Sequence, residues 1–525
     1  MMNPPTQVRA AAACLLVALA TLAGPTVAQS PDAGAPPARE VVVQDDAELL
    51  HRSTSEVRRT LRALKRAGTH RVRITAGWSA LAPDPQARRR PRFDERDSRR
   101  YARDPIARLD RAIVLARAAG LEVQLDLAFW APRWAVARPL RSAARQRWRP
   151  NVRRYGRFVT AIARRYSGRF ADPRRPGRRL PAVRQWTTWN EPNHAGFLLP
   201  QWERVDGRLV PASPHHYRRM HEAAYAAIKG TDARNAVLIG GLASRGAEAP
   251  GERRGIQPLR FLRELACVDD QLQPLTDARC RGFAALRADG FAYHPYTLGM
   301  RPDGRSTLPD EVGIGELGRL SDLLASLHAR GRIERPLELY LTEYGYETNP
   351  PDPTRGVNPR AQARYHGLAT FLAWQRPDVR MFPQFLVRDI GPDLRFPAGS
   401  AARWRDFQTG LLDFRGKPKP AARAFVMPFW AYRDDADIVL FGQVRPGAGG
   451  QPVRIEREIA PGRWAPIATR PATAAAAAGD EAPEFATDAQ GFFLRRATTS
   501  ERVRLRARWL RPTHTISTST DLVVR

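Results

Sequence analysis

The chain of 525 residues is long enough for two or three domains, and its 43% hydrophobic content is ordinary for a protein with a large core. The formal net charge is +32, and almost all the positive charge is arginine, because the only lysines are Lys65, Lys229, Lys417 and Lys419. This charge is spread along the chain with no reader motif or lysine–aromatic stripe, which argues against nucleic-acid binding and leaves a solvated cationic surface or attraction to an anionic polymer such as a cell-envelope polyanion.

Residues 1–28 read as a secretory signal peptide: Arg9 precedes an apolar run from Ala10 to Ala23, and Thr26-Val27-Ala28 offers small residues for cleavage. A retained N-terminal anchor is the alternative, but the run is short and alanine-rich for a membrane span. The expected destination is outside the cell, secreted or at its surface, with no integral membrane segment after signal removal. Residues 29–39 form a Pro/Ala/Gly linker. Cys14 leaves with the signal. Cys267 and Cys280 remain, and in an exported protein such a pair predicts one disulfide, with two unrelated thiols as the alternative. Two cysteines without clustered histidines do not complete a zinc shell, so no metal and no cofactor are expected.

From about residue 40 to 427, short apolar strands alternate with amphipathic helices. Glu40–Gln44 reads as strand one, and 54–67 as a helix with Val57, Leu61 and Leu64 on one face. Arg71–Ala76 is strand two, followed by a helix over 105–119 stopped by Gly120. Leu121–Leu127 is strand three, with a helix over 152–166. Val183–Trp189 is strand four, with a helix over 214–229. Ala236–Gly240 and Gly290–Tyr293 are strands five and six, with helices near 258–266 and over 316–329. Leu337–Thr342 is strand seven, with a helix over 360–374. Val379–Leu386 is strand eight, with a helix near 420–426. Eight such units predict an α/β fold, a (β/α)8 TIM barrel over 40–427, with functional residues at the C-terminal ends of its strands. A doubly wound open sheet is the alternative, but it wants a Gly-rich turn after strand one, and none is present. Beyond Met427 helical periodicity stops. Alternating runs at Ile438–Val444, Val453–Ile459, Phe492–Arg496 and Val503–Trp509, separated by turn signals, predict a small C-terminal all-β sandwich over 428–525. The alanine-rich stretch 471–479 reads as an exposed loop, with a short helix as the alternative.

The most informative segment is Trp186-Thr187-Thr188-Trp189-Asn190-Glu191-Pro192-Asn193, where strand four delivers a carboxylate to its C-terminal lip and Pro192 ends the ladder. Strand seven does the same at Thr342-Glu343-Tyr344-Gly345. Two carboxyl groups at two strand ends are the minimum equipment for cleaving a glycosidic bond: one protonates the leaving oxygen and one attacks the anomeric carbon. Glu191 is the expected acid/base and Glu343 the expected nucleophile. Repulsion between the two is expected to raise the Glu191 pKa. Arg73 is placed to keep Glu343 ionised, and Asn190 to hold a sugar hydroxyl. In Tyr293-His294-Pro295-Tyr296, Tyr296 is placed to orient Glu343 and His294 to bond substrate. Trp78, Trp130, Trp134 and Trp404 fall in predicted top loops, where aromatic faces suit pyranose rings, whereas Trp189 is expected in the core. Glu338 and Glu347 are rival nucleophiles, the first at the wrong end of its strand and the second four residues into the loop.

These motifs resemble glycoside hydrolase clan A, the retaining (β/α)8 glycosidases, cellulase-like or β-xylosidase-like members among them. Asn190-Glu191-Pro192 is similar to its acid/base motif, Thr342-Glu343-Tyr344-Gly345 to its nucleophile motif, His294-Pro295-Tyr296 to its strand-six pattern and Arg73 to its strand-two arginine. Trp130-Ala131-Pro132-Arg133-Trp134-Ala135 is faintly similar to a β-xylosidase-like loop. The resemblance implies an exported hydrolase of an oligo- or polysaccharide, cleaving O-glycosidic bonds, expected to be β, by double displacement, with an immunoglobulin-like sandwich appended. One departure is that the strand-eight tryptophan of cellulase-like members is missing from Phe382-Pro383-Gln384-Phe385-Leu386. The rivals are an inverting hydrolase, a catalytically silent glycan-binding barrel and an envelope-associated protein held by its charge.

Overall fold

A computed structural model describes residues 39–137, 146–447, 449–472, 481–498, 503–510 and 517–524. The expected leader 1–28, nearly all of the linker 29–39 and most of the alanine-rich stretch 471–479 lie outside the described residues. Among the described residues no helix is long and apolar enough to cross a membrane.

Eight parallel strands close into a barrel: β1 (Glu40–Gln44), β2 (Arg71–Thr75), β3 (Glu122–Leu127), β4 (Gln185–Thr188), β5 (Ala236–Ala243), β6 (Gly290–His294), β7 (Leu339–Leu341) and β8 (Val379–Phe385). Each pairs with its chain neighbours, and β8 returns to β1 through Glu40↔Met381 to Gln44↔Phe385. The strands are covered on both faces, so they read as nearly unbroken apolar runs. The helices form the outer layer. The first long one, Thr54–Arg66, starts at a capping box between Ser53 and Glu56 and buries Val57, Leu61 and Leu64 against the barrel.

The structure adds elements that periodicity did not show. A short helix, Asp46–Leu50, follows β1, another, Trp78–Leu81, follows β2, and a hairpin of Trp202–Val205 with Arg208–Pro211 follows β4. All are pieces too short for a 3.6- or 2-residue period to register. Cys267 and Cys280 form a disulfide closing the loop that follows helix Pro258–Leu265.

The C-terminal unit is all β. One antiparallel sheet holds Phe429–Asp434, Asp437–Gln443, Phe492–Thr498 and Arg470–Pro471. The other holds Arg463–Pro466, Pro452–Ala460, Val503–Trp509 and Ser517–Val524, with Glu484–Ala486 paired to Pro452–Ala460. Their shared core contains Phe429, Leu440 and Phe493 from the first sheet and Ile455, Leu505 and Trp509 from the second. This unit is seated on the barrel. Leu368 and Phe371 of helix Pro359–Trp374 form one buried cluster with Phe441 and Phe492, with Trp374 packed against it. Gly367 lets the Phe429 backbone pass so close that an added Cβ would lie 2.2 Å from its carbonyl oxygen. Arg445 inserts its fully buried guanidinium beneath the barrel, donating to Gln443 Oε1 (2.7 Å) and to Phe425 O (3.0 Å). Gly68, at φ +86°, is the close-approach point on the barrel side, 2.6 Å from Arg445 Cβ once a Cβ is added.

Candidate active site

The C-terminal ends of the barrel strands open into one cavity of about 480 Å³. Gln44, Asn190, Glu191, Tyr296 and Glu343 line its floor, contributed by β1 and by the turns after β4, β6 and β7.

The floor is organised around one guanidinium. Arg73 points inward from the middle of β2 and is wholly buried. Its Nη1 donates to Glu343 Oε1 (2.6 Å) and to Gln44 Oε1, and its Nη2 donates to Asn190 Oδ1 (3.1 Å) and lies 3.0 Å from Asp126 Oδ2. A buried cation needs buried counter-charge, which Asp126 and Glu343 supply together. Asp126 on β3 also accepts from Thr187 Oγ1 at 2.7 Å; burial pushes it up to about 6, against the opposing pull of Arg73. Tyr296 donates its phenolic hydrogen to Glu343 Oε2 at 3.3 Å, and burial together with the Glu343 charge holds that phenol well above its ordinary range. Glu343 therefore faces donors on both oxygens.

Glu191 sits opposite. Its Oε1 is hydrogen-bonded to His294 Nδ1 at 3.0 Å, and the same ring nitrogen is 3.7 Å from Glu343 Oε2. Burial alone would raise the Glu191 pKa, but the His294 hydrogen bond, followed by the electrostatic pull of His294, His194 and Arg73, outweighs it, and the net direction is down. This corrects the expectation of a raised value from carboxylate repulsion. An imidazole stands between the two carboxyl groups, a placement invisible to sequence spacing.

The turn that carries Glu191 is tightly held. Trp189 (φ +69°) and Glu191 (φ +39°) both take left-handed backbone, which costs a non-glycine residue about 1–3 kcal/mol and persists only where the surroundings over-determine it. The surroundings do so here. Trp189 is fully buried, with its indole N–H donating to Phe197 O at 3.3 Å, and Glu191 N donates to Gly241 O at 2.9 Å. Asn193 clamps the far side, with Nδ2 donating to Ala243 O (2.9 Å) and Ile256 O (3.0 Å) and Oδ1 accepting from Ala243 N (2.9 Å). Asn193 went unassigned in the sequence. The signal for its dock was Gly240-Gly241, which marks a bulge at the end of β5, where the register shifts.

The tryptophans do not form the cavity wall. Trp78 and Trp134 turn inward and pack edge-on against each other at 6.4 Å, and Trp78 stacks on Phe158 at 5.7 Å. Trp134 also anchors its indole N–H on Pro83 O at 3.2 Å. Trp130 lies outside the cavity with its N–H on Gly196 O (2.9 Å), and Trp404 leans on Phe414. Phe129, Phe197, Phe385 and Phe407 supply the aromatic faces instead. Of the rival carboxylates, Glu338 pairs with Arg380 at 2.6 Å at the opposite end of the barrel. Glu347 does line the cavity. Burial, and then the neighbouring Asp352 carboxyl, push it up to about 8, against the pull of Arg355, whose Nη2 is 3.5 Å from Glu347 Oε1.

That value sets a pH dependence. The folded chain holds a proton on Glu347 that the unfolded chain, near the ordinary 4.5, releases. The stability it contributes is fully present below the unfolded value and is lost as pH rises toward 8. Urea denaturation at pH 5 and pH 8.5 is expected to show wild-type stability falling with pH and Glu347→Gln falling less. Parallel losses would contradict the assignment.

Among the described residues, two clusters bring potential metal ligands within 4.8 Å of one another: His215 with Cys267 and Cys280, and Glu191 with His294 and Glu343. In the first the sulfurs are joined to each other. In the second the Arg73 guanidinium, 2.6 Å from Glu343, already occupies the place of a cation.

No protein-family model matches the chain, and no curated protein matches it in sequence. Some solved structures are similar to it over part of its length. One is a GH5_18 variant from Streptomyces cattleya in complex with Manb1-4GlcNAc (16% identity, 74% of this chain and 78% of that chain, TM-score 0.45). Another is a glucosidase from Croceicoccus marinus (14%, 84% and 92%, TM-score 0.43). A third is the beta-glycosidase of the hyperthermophile Thermosphaera aggregans (15%, 74% and 95%, TM-score 0.44). At this level the likeness concerns the fold, and what each residue does is argued from the geometry above.

Proposed function

We propose that the chain is a retaining glycoside hydrolase of the clan A type, cleaving O-glycosidic bonds of β configuration, with Glu343 as nucleophile and Glu191 as acid/base. The observation that carries this reading is the pairing of the two carboxyl groups across one cavity, with oxygens within 4.8 Å of each other. Direct attack needs carboxyl groups about 5–5.5 Å apart, whereas an inverting enzyme needs about 6.5–9.5 Å to admit a water.

The residues divide the work. Arg73 and Tyr296 each donate to one oxygen of Glu343 and hold it aimed, so that one oxygen can attack the anomeric carbon as the bond to the leaving oxygen breaks. Glu191 and His294 share a proton across their 3.0 Å contact, and the pair delivers it through Glu191 to that leaving oxygen. Once Glu343 is esterified its charge is gone, and Glu191 takes a proton from water as the water attacks the same carbon. The Asn190 amide N–H2, its oxygen pinned by Arg73, is left to donate to a sugar hydroxyl beside the cleaved bond.

Export fits the leader at 1–28 and the Cys267–Cys280 disulfide, and the net charge of +32 favours anionic surroundings such as an envelope polymer. The test is a panel of 4-nitrophenyl β-glycosides with product stereochemistry followed by NMR. Retention is expected; inversion would remove the nucleophile, and absence of turnover across the panel would favour a silent binding barrel. Glu191→Ala is expected to lose about 10²–10⁴-fold on substrates with poor leaving groups. It should keep most of its kcat/KM on 2,4-dinitrophenyl glycosides, whose departure needs no proton, but only some turnover, because water then attacks the glycosyl-enzyme without a base; added azide should restore kcat by forming a β-glycosyl azide. Equal loss on both substrate types would contradict the acid role.

A further inference from the structure

The walls of the cavity differ from its floor. Hydroxyl-binding groups gather at the bottom, around Asn190, Glu191 and Glu343. Above them an apolar wall rises on the side of the loops after β6 and β8. It starts at Tyr296, the phenol that orients Glu343, passes edge-on to Phe385 (centroids 6.4 Å), and continues edge-on to Phe407 (5.1 Å) at the mouth. Leu298, Leu386 and Ile390 extend the same surface.

This wall is exposed although it is apolar. Among the described residues seven large hydrophobic side chains are exposed, and three of them, Leu298 (40%), Ile390 (36%) and Phe407 (43%), line this one cavity. Apolar groups gathered in this way mark a binding surface, whereas scattered ones carry no such meaning. The wall is also braced. Ile390 N donates to Phe407 O at 2.9 Å, which straps the two ends of the loop together. Beneath them buried Lys419 binds Asp389 Oδ1 (2.9 Å), Thr348 Oγ1 (3.0 Å) and Gln408 O (2.9 Å), fixing three chain segments at one point.

A further sugar would be poorly served here. A pyranose can lay a C–H face on a phenyl ring, but its equatorial hydroxyls need donors and acceptors at the edge. Branched aliphatic groups such as Leu298, Leu386 and Ile390 offer neither a flat face nor a hydrogen bond, so hydroxyls turned toward them would lose water without replacement. Asp46, His194, Ser244, Arg245, Glu347 and Arg355 also line the cavity, so the apolar surface is one wall of it, and that wall accommodates hydrocarbon.

We propose that this site takes a glycoside whose aglycone is apolar, an alkyl or aryl chain or the lipid of a glycolipid, in place of a chain of sugars. The inference rests on the hydrolase reading for its chemistry, and on the wall alone for its ligand. It narrows the polysaccharide expected from sequence.

The experiment is a series of alkyl β-glycosides, methyl to octyl, kept below micelle concentration, on the sugar that the 4-nitrophenyl panel selects. Leaving-group acidity barely changes along the series, so kcat/KM reports contact with the chain. Each of the first few methylenes is expected to raise kcat/KM about threefold, close to full burial of each group, so that octyl exceeds methyl by roughly 50-fold. In the double variant Ile390→Ser, Phe407→Ser that ratio should fall about tenfold. Two arms distinguish the source of the aglycone. Cleavage of glucosylceramide in phosphatidylcholine vesicles points to a lipid, and cleavage of the soluble series alone points to a small alkyl or aryl glycoside. A flat series, or oligosaccharides preferred to octyl glycosides, overturns the proposal while leaving the hydrolase reading intact. Calorimetry of methyl against octyl β-glucoside on Glu343→Gln separates the two failures. Tighter octyl binding without any wild-type turnover removes the hydrolase and keeps the apolar site; equal binding removes the apolar site.

Discussion

Glu343→Gln is expected to reduce turnover by about 10⁵-fold, the scale on which removal of a covalent nucleophile leaves only binding and orientation behind. An amide is nearly isosteric with the carboxylate, and its oxygen can still accept from Arg73 Nη1, which stands 2.6 Å away in the native chain. The amide nitrogen would then face the Tyr296 hydroxyl, which can turn to accept. Asp126, 3.0 Å from Arg73 Nη2, keeps a counter-charge beside the guanidinium. The variant should therefore fold with little loss of stability while failing in both steps of displacement. Pre-steady-state kinetics with excess 2,4-dinitrophenyl glycoside checks it: wild type should give a burst of phenolate followed by a slower phase, and the variant no burst. Near-native rates in Glu343→Gln would withdraw the nucleophile assignment and return attention to Glu347, the other carboxyl group of strand seven's loop that lines the cavity.

Arg73→Met is expected to be the costliest single change to stability, about 3–5 kcal/mol, because it leaves two buried carboxylates without their common cation. Both Asp126 and Glu343 face this guanidinium, as does the Asn190 amide oxygen. Removing it from a site in which Asp126 already sits near 6 would force protons onto the remaining acids or draw water into the floor. Arg73 touches Glu343 and Asn190 and acts on substrate through them, so it is a positioning residue. Arg73→Lys tests that role: it restores a charge but not the fork that reaches Glu343 and Asn190 together. We expect urea denaturation to show stability largely recovered in the lysine variant, while kcat stays at least about 10²-fold down, since misplacement by an ångström costs that much. Full recovery of both would reduce Arg73 to a neutralising charge.

The barrel was legible because its strands are buried on both faces and its helices on one, so each wrote its period into the chain. Glu191 and Glu343 were legible for a related reason: a carboxylate directly after a buried strand has only the rim of the barrel to occupy. Spacing does not encode the direction in which a loop side chain turns. Trp78 and Trp134 fell in the loops assigned to them, but their rings went down into the core against Phe158 and each other, and phenylalanines took the cavity. Asp126 carried a usable signal, since a charged residue on an inward-facing strand position demands a partner, and Arg73, two residues before its register partner Thr75 on the neighbouring strand, is that partner. The imidazole between the two glutamates carried none. His294 was expected to meet substrate, and only the closure of the barrel brings it within 3.0 Å of Glu191.

The seating of the β unit has a consequence for how this molecule can be handled. Phe371 and Trp374 of a barrel helix share their apolar cluster with Phe441 and Phe492, while Gly367 and Gly68 exist as notches for the Phe429 and Arg445 backbones. A chain cut after residue 427 would carry open notches and a wet aromatic face on its underside. The appended sandwich is thus a keystone for the barrel and cannot act as a detachable accessory, and attempts to trim or graft the barrel must carry its foundation along.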